Sequence, residues 1–166
     1  VSALTATTTV TIEEVISGLV AVNDSPTALG RTTALTATVD AGTHVTYTWA
    51  LGDGESGAGA AIAHTYPAPG VYTAVVTAAN RVSALTAATS VLVDESAAGL
   101  AAWNDSPTAL GETTAFTATV DAGSALTYTW LLGDGAVDYG PAISHTYAAP
   151  GTYTAVVTAA NSISTL

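Results

Sequence analysis

Apolar and polar positions alternate along most of the chain with a period of two. In residues 33–39, Leu35, Ala37 and Val39 share one face, while Thr36 and Thr38 share the other. In residues 45–51, Tyr47, Trp49 and Leu51 oppose Thr46 and Thr48, and in residues 71–78, Tyr72, Ala74 and Val76 oppose Thr73 and Thr77. Successive side chains of a strand point to opposite faces, so each segment offers one face to a core and one to water. Threonine suits the outer face, because branching at Cβ favours extended chain and the hydroxyl stays hydrated. The pattern predicts strands at 18–23, 31–39, 45–51, 60–66, 71–79 and 84–93, and no helical window stands out. Turn signals fall between them at Asn23-Asp24-Ser25-Pro26, Asp40-Ala41-Gly42, Gly52-Asp53-Gly54, Pro67-Ala68-Pro69-Gly70 and Asn80-Arg81. Short strands at such spacing predict an all-β fold, two antiparallel sheets packed as a sandwich.

The whole pattern then recurs. Asn23 returns as Asn104, Trp49 as Trp130, Asp53 as Asp134 and His64 as His145, each 81 residues later with the register intact. A fixed period of this size means one module used more than once. The frame of the repeat is offset, since residues 1–5 match residues 82–86, which end a module, and Leu166 matches Leu85. The expected organisation is therefore a final strand at 1–16, a first sandwich at 17–97 and a second at 98–166 without its own last strand. The segment 1–16 belongs to a preceding module or is donated to a neighbouring subunit. The joint at residues 94–99 is short, which predicts a semi-rigid, rod-like arrangement of the two modules.

Composition narrows the partners. Thirteen acidic residues face only Arg31 and Arg81, for a net charge of −11. That balance argues against nucleic acid and anionic membrane as partners. No stretch is apolar and long enough for membrane insertion. With no cysteine, neither a disulfide nor a thiolate metal site can supplement a modest core. No initiator Met or signal peptide is present, and the sequence reads as a mature or excised segment.

The run Tyr47-Thr48-Trp49-Ala50-Leu51-Gly52-Asp53-Gly54 is followed by His64-Thr65-Tyr66, then Pro69-Gly70-Val71-Tyr72, then a valine-rich strand ending in Asn80. The second copy repeats it through Trp130, Gly133-Asp134-Gly135, His145-Thr146-Tyr147, Pro150-Gly151-Thr152-Tyr153 and Asn161. Both runs resemble the PKD (polycystic kidney disease) domain family, and the resemblance covers essentially the whole chain. The family commonly has Asp-Phe before Gly-Asp-Gly, where Ala50-Leu51 and Leu131-Leu132 stand here. That departure bears on any polar role of the missing Asp and not on the fold. The resemblance implies tandem immunoglobulin-like sandwiches, extracellular, without catalytic activity, serving as spacers, adhesive units or polysaccharide-contacting surfaces.

Each candidate residue has a structural and a chemical reading. Trp49 and Trp130 are core anchors or sugar-stacking platforms. Asp53 and Asp134, between glycines, accept turn amides or act as weak calcium ligands; no other cofactor is expected. His64 and His145 could pair with those aspartates, but no serine elbow or cysteine nucleophile accompanies them, so no enzyme is expected. Tyr72 and Tyr153 fit the buried tyrosine of a sandwich corner. Asn23 and Asn104 have the form of glycosylation sequons, although a following proline hinders attachment. The copies differ where Val22 becomes Trp103 and where residues 55–58 become 136–139, ending in Tyr139. Trp103 and Tyr139 are thus interface candidates, with Leu4, Val10 and Ile12 of the N-terminal strand.

Two functions compete at this level. One is a structural repeat of an extracellular surface array or filament, partnered by copies of itself or by adjacent repeats. Strand donation between subunits would then add main-chain hydrogen bonds along an open edge. The other is a carbohydrate-binding or adhesive accessory module of a secreted protein, with surface glycans as ligands.

Overall fold

The computed structural model describes residues 4–166, so residues 1–3 of the expected N-terminal strand lie outside the described residues. Contacts divide the chain into two compact units, residues 1–24, 34–64 and 72–91, and residues 25–33, 65–71 and 92–166. Every regular element among the described residues is a strand. The first copy contains β1 (Val20–Asn23), β2 (Thr27–Ala28), β3 (Thr33–Thr38), β4 (Thr46–Ala50), β5 (Ser56–Ala58), β6 (Ala61–His64), β7 (Gly70–Ala79) and β8 (Ala84–Asp94). The second contains β9 (Ala101–Asn104), β10 (Thr114–Thr119), β11 (Thr127–Leu131), β12 (Val137–Tyr139), β13 (Ala142–His145) and β14 (Val156–Ala160).

In the first copy β1-β3-β6 form one sheet and β2-β8-β7-β4-β5 the other. The expected alternation is realised side chain by side chain. Leu35 and Ala37 of β3, Trp49 of β4 with Leu51 just beyond it, and Ala74, Val76 and Ala78 of β7 are buried. The intervening Thr38, Thr46, Thr48 and Thr73 stay exposed. Val91 and Val93 of β8 complete this core. Thr33, also buried, donates its hydroxyl to Thr27 Oγ1 at 3.0 Å, which satisfies a polar group that would otherwise cost free energy inside.

Two departures from the expected strands have local causes. The turn Asn23-Asp24-Ser25-Pro26 switches the chain from one sheet to the other, and Asp24 Oδ1 accepts the Ala34 amide at 2.9 Å to hold it. The two-residue β2 that follows pairs parallel with β8, Thr27 opposite Val93. A pair so short lies below what hydrophobic periodicity can reveal. The short β5 lies outside the expected strands because Gly57 breaks the alternation; Gly57 sits opposite Trp49 in β4.

The second copy follows the same plan through β13-β10-β9 and β12-β11-β14, around Phe116, Ala118, Trp130 and Leu132. Its difference is at one edge. β7 runs for 10 residues and β14 for 5, and the β2 counterparts Thr108 and Ala109 form no strand. Pairing with β8 is what makes the first-copy segments strands. In the second copy the Leu166 amide donates to Ala159 O at 2.8 Å and the Ala159 amide to Leu166 O at 3.1 Å.

Candidate functional site

The Gly-Asp-Gly turns come first, because they gather the titratable groups. Gly52 has φ +88°, and a Cβ there would stand 2.7 Å from Thr73 O, so glycine is required both by conformation and by space. Asp53 Oδ1 accepts the Glu55 amide at 3.0 Å, and Oδ2 lies 2.6 Å from His64 Nε2. The second turn repeats this: Asp134 Oδ1 accepts the Ala136 amide at 3.0 Å and Oδ2 meets His145 Nε2 at 2.7 Å. Burial pushes the Asp53 carboxyl upward, but the His64 hydrogen bond, the Glu55 amide and the imidazole charge outweigh it and hold the group below its ordinary 3.8. For Asp134 the Ala136 amide leads, then His145, with the same downward result against a smaller opposing effect of burial. Both oxygens of each aspartate are thus engaged in anchoring a turn to strand β6 or β13. Among the described residues no three His, Cys, Asp or Glu side chains gather as a metal site requires.

Aromatic residues continue from the histidine in the second copy. His145 meets Tyr147 edge-on at 4.6 Å, and Tyr147 stacks on Tyr153 at 4.0 Å. The Tyr147 hydroxyl donates to Leu132 O at 2.9 Å and that of Tyr153 to Ala149 O at 3.0 Å. Burial first, then the Asp134 charge and Tyr153, push the Tyr147 phenol above its ordinary value. The expectation of buried tyrosines at 72 and 153 needs correction. Both are half-buried, although the Tyr153 hydroxyl makes the expected bond to nearby backbone, and among the described residues the fully buried tyrosine is Tyr66. Trp49 and Trp130 are core anchors, each 2 % exposed, with Nε1 donating to Gly59 O and Gly140 O at 3.0 Å. Leu51 and Leu132, where the expected Asp-Phe motif departs, are buried beside them.

A second arrangement, invisible in the linear pattern, surrounds Asn80 and Asn161. Asn80 Nδ2 donates to the carbonyls of Glu14 at 2.7 Å and Thr43 at 3.0 Å, while its Oδ1 accepts the Ser83 amide at 2.9 Å. Ser83 Oγ in turn accepts the Ile16 amide at 2.9 Å, and Thr43 Oγ1 the Glu14 amide at 2.8 Å. Asn161 repeats the set on Glu95 at 2.7 Å and Ser124 at 2.9 Å, with Ser164 holding the Ala97 amide at 2.8 Å. These two seats fix the segments by which the chain enters each sandwich. Each seat also receives an acid. Glu13 lies 3.8 Å from both Arg81 Nε and His44 Nδ1 and accepts the Arg81 amide at 2.9 Å. Its counterpart Asp94 accepts Ser124 Oγ at 3.0 Å and Ser162 Oγ. The repeat signalled that Asn80 and Asn161 matter; only the fold could say that they clamp residues some 66 positions away.

The remaining candidates lie at the surface or along the open edge. Leu4, Val10 and Ile12 are exposed, as are Trp103 on β9 and Tyr139 on β12. Asn23, a sequon candidate, uses Nδ2 to donate to Thr89 Oγ1 at 2.7 Å and Ser90 O at 2.8 Å, so the atom that a glycan would take is bound within the fold. Asn104 Oδ1 accepts the Ser106 amide at 2.9 Å, and its strand is exposed. Beside it runs a groove of about 790 Å³ along the unpaired edge, lined by Trp103, Leu110, Phe116, Trp130, Tyr147 and Tyr153 among others.

Two sandwiches built alike, anchored by Trp, Gly-Asp-Gly and His, find their match among known proteins. The pattern of the PKD domain family fits residues 19–93 and again residues 99–166. The chain belongs to the PKD domain family. It is 35 % identical over 129 residues to human Polycystin-1, covering 75 % of this chain and 3 % of that protein. The chain thus spans a small fraction of that relative's length. Among solved structures it resembles one described as the structural basis for Dscam isoform specificity, with TM-score 0.54, 16 % identity and coverage of 89 % of this chain and 44 % of that one. The amphioxus IgVJ-C2 molecule matches with TM-score 0.50 and 15 % identity, over 84 % of this chain and 95 % of that one. At such identity these likenesses report an immunoglobulin-like fold. PKD domains are typically non-catalytic, extracellular modules, and no helix among the described residues is long and apolar enough to cross a membrane.

Proposed function

We propose that this chain is a non-enzymatic structural repeat of an extracellular array or filament at a cell surface. In that array PKD sandwiches follow one another in series, within a chain and, by strand donation, between chains. The observation that carries the reading is the twice-built seat, in which Asn80 and Asn161 bind the entering chain through the same groups. A connector whose main chain is bonded at each module passes tension into the sheets instead of leaving it to a loose tether. The partners are copies of the chain and adjacent repeats. The net charge of −11 and the exposed threonine faces keep such an array hydrated and self-repelling outside its joints.

The competing reading, a glycan-contacting adhesive module, requires clustered exposed aromatics. Trp103 and Tyr139 belong to different sheets, which is why the array reading is preferred. Saturable binding to an insoluble polysaccharide that Trp103→Ala removes would reverse the preference. The array reading is tested on intact source cells by immunogold electron microscopy with antibody to this chain. Label along surface fibres or a sheath, lost after brief protease treatment, is the expected result. Label found only after lysis would overturn it.

A further inference from the structure

The outer face of the β12-β11-β14 sheet differs from its counterpart in the first sandwich in a way that packing does not require. Register places Leu131 between Val137 of β12 and Val156 of β14, and Thr129 between Tyr139 and Thr158. Alternation turns Trp130 inward, where it is buried, and leaves these neighbours outside. Leu131, Val137, Val156 and Tyr139 are 54 %, 47 %, 51 % and 71 % exposed. In the first sandwich the positions of Leu131, Val137 and Tyr139 are held by Ala50, Ser56 and Ala58, all exposed and in the same register. Three large apolar residues thus stand where the other sandwich has small or polar ones, and none of the three fills a core. With Val156 they present about 400 Å² of contiguous apolar surface, a size that marks contact sites on soluble proteins.

We propose that this face binds the same face of a second molecule of the chain, sheet against sheet. The inference rests on the array reading and names a lateral contact between its chains. Charge selects the partner. Two molecules of net charge −11 repel wherever their acidic groups meet, and they approach at least cost where neither is charged. Thr127, Thr129, Leu131, Val137, Tyr139, Val156 and Thr158 make up such a surface, with no acid or base among them. The face is also its own complement, since a two-fold contact sets apolar centre on apolar centre and threonine rim on threonine rim. Two sheets so apposed pack as the layers of a sandwich do. Strand pairing along the β12 edge is the rival geometry, and Asp138 opposes it. Its carboxylate already accepts the Tyr139 amide at 2.8 Å, and two β12 edges in antiparallel register would bring two Asp138 side chains together. Area sets the strength. With about 400 Å² of apolar centre against about 800 Å² per partner in a standard interface, one contact is weak and reversible, and an array multiplies it by avidity.

The test is sedimentation velocity of the full chain at concentrations rising to about 1 mM, where a contact of this size is populated. A monomer–dimer equilibrium is expected, strengthened by sodium chloride, which screens the repulsion and leaves the apolar contact intact. Giving the face the residues of the first sandwich, by Leu131→Ala with Val137→Ser and Tyr139→Ala, is expected to weaken the dimer at least about 10-fold, since each change occurs twice in a two-fold contact. Leu131→Asp alone, a charge at the centre of the face, is expected to do the same. Val20→Ser with Val22→Ser removes comparable exposed apolar surface from β1 and is expected to leave the dimer unchanged. All the substituted side chains are exposed, so a retained cooperative melt verifies folding. A chain that stays monomeric throughout, or a dimer that survives both face variants, overturns the proposal. So does a monomeric chain whose binding to an insoluble polysaccharide is lost in the triple variant, an outcome that assigns the face to a glycan. If no dimer forms while surface labelling persists, the array reading stands without this contact; if labelling fails, that reading falls whatever sedimentation shows.

Discussion

Trp49 and Trp130 illustrate how single residues set the scale of stability here. Each fills a core with its ring and satisfies its one donor on a glycine carbonyl. Removing a buried Trp costs about 3–5 kcal/mol, against about 5–15 kcal/mol for a whole domain. Trp49→Ala is therefore expected to shift urea unfolding of the first sandwich by a large part of its total. The glycines make a finer contrast. Gly52→Ala meets both left-handed strain and Thr73 O at 2.7 Å, whereas Gly54, at φ +99°, has open space where a Cβ would go. Gly52→Ala should thus lower the melting temperature more than Gly54→Ala. The aspartates give a pH signature. Their folded pKa values lie below the ordinary 3.8, so their contribution is complete above that value and disappears as pH falls through the lowered folded values. Asp53→Asn with Asp134→Asn should flatten the dependence of melting temperature on pH below about 4.

At the scale of elements, strand length follows partnership. The segment 151–155 repeats the start of β7 almost residue for residue, yet carries no strand, whereas β7 is flanked by both β4 and β8. Hydrogen exchange should find amides 152–155 less protected than their counterparts 71–74. The seats are a second element-scale device. Asn161→Ala leaves the carbonyls of Glu95 and Ser124 without their donor, at about 1–3 kcal/mol for each orphaned group. Thermal melting should register that loss, while Asn104→Ala, whose Oδ1 holds only the Ser106 amide, should change little. The linear pattern could indicate six strands per module. It could not indicate β2 or β5, since two or three residues carry no periodicity and Gly57 interrupts what there is.

For the whole molecule, charge dominates. With −11 distributed over a small surface, added salt should raise the melting temperature by screening self-repulsion. Calcium chloride should do no more than sodium chloride of equal ionic strength, because Asp53 and Asp134 already bond turn amides and histidines. A selective rise with calcium would restore them as ligands. Such a result would also require oxygen donors beyond the two aspartates.

The sequence by itself determined the modules, their 81-residue period and the faces of the main strands, because alternation and repetition are local properties of a chain. It also determined the anchoring residues Trp, Gly, Asp and His, whose chemistry suits few other roles at such spacing. Only the tertiary structure decided which residues the asparagines clamp, which tyrosine is buried and what shape the unpaired edge takes. Those outcomes depend on contacts between positions far apart in sequence, as when Asn80 reaches back to Glu14. The pattern aligns Val10 and Ile12 with the inward Val91 and Val93 of β8, yet in the fold both are exposed and belong to no strand.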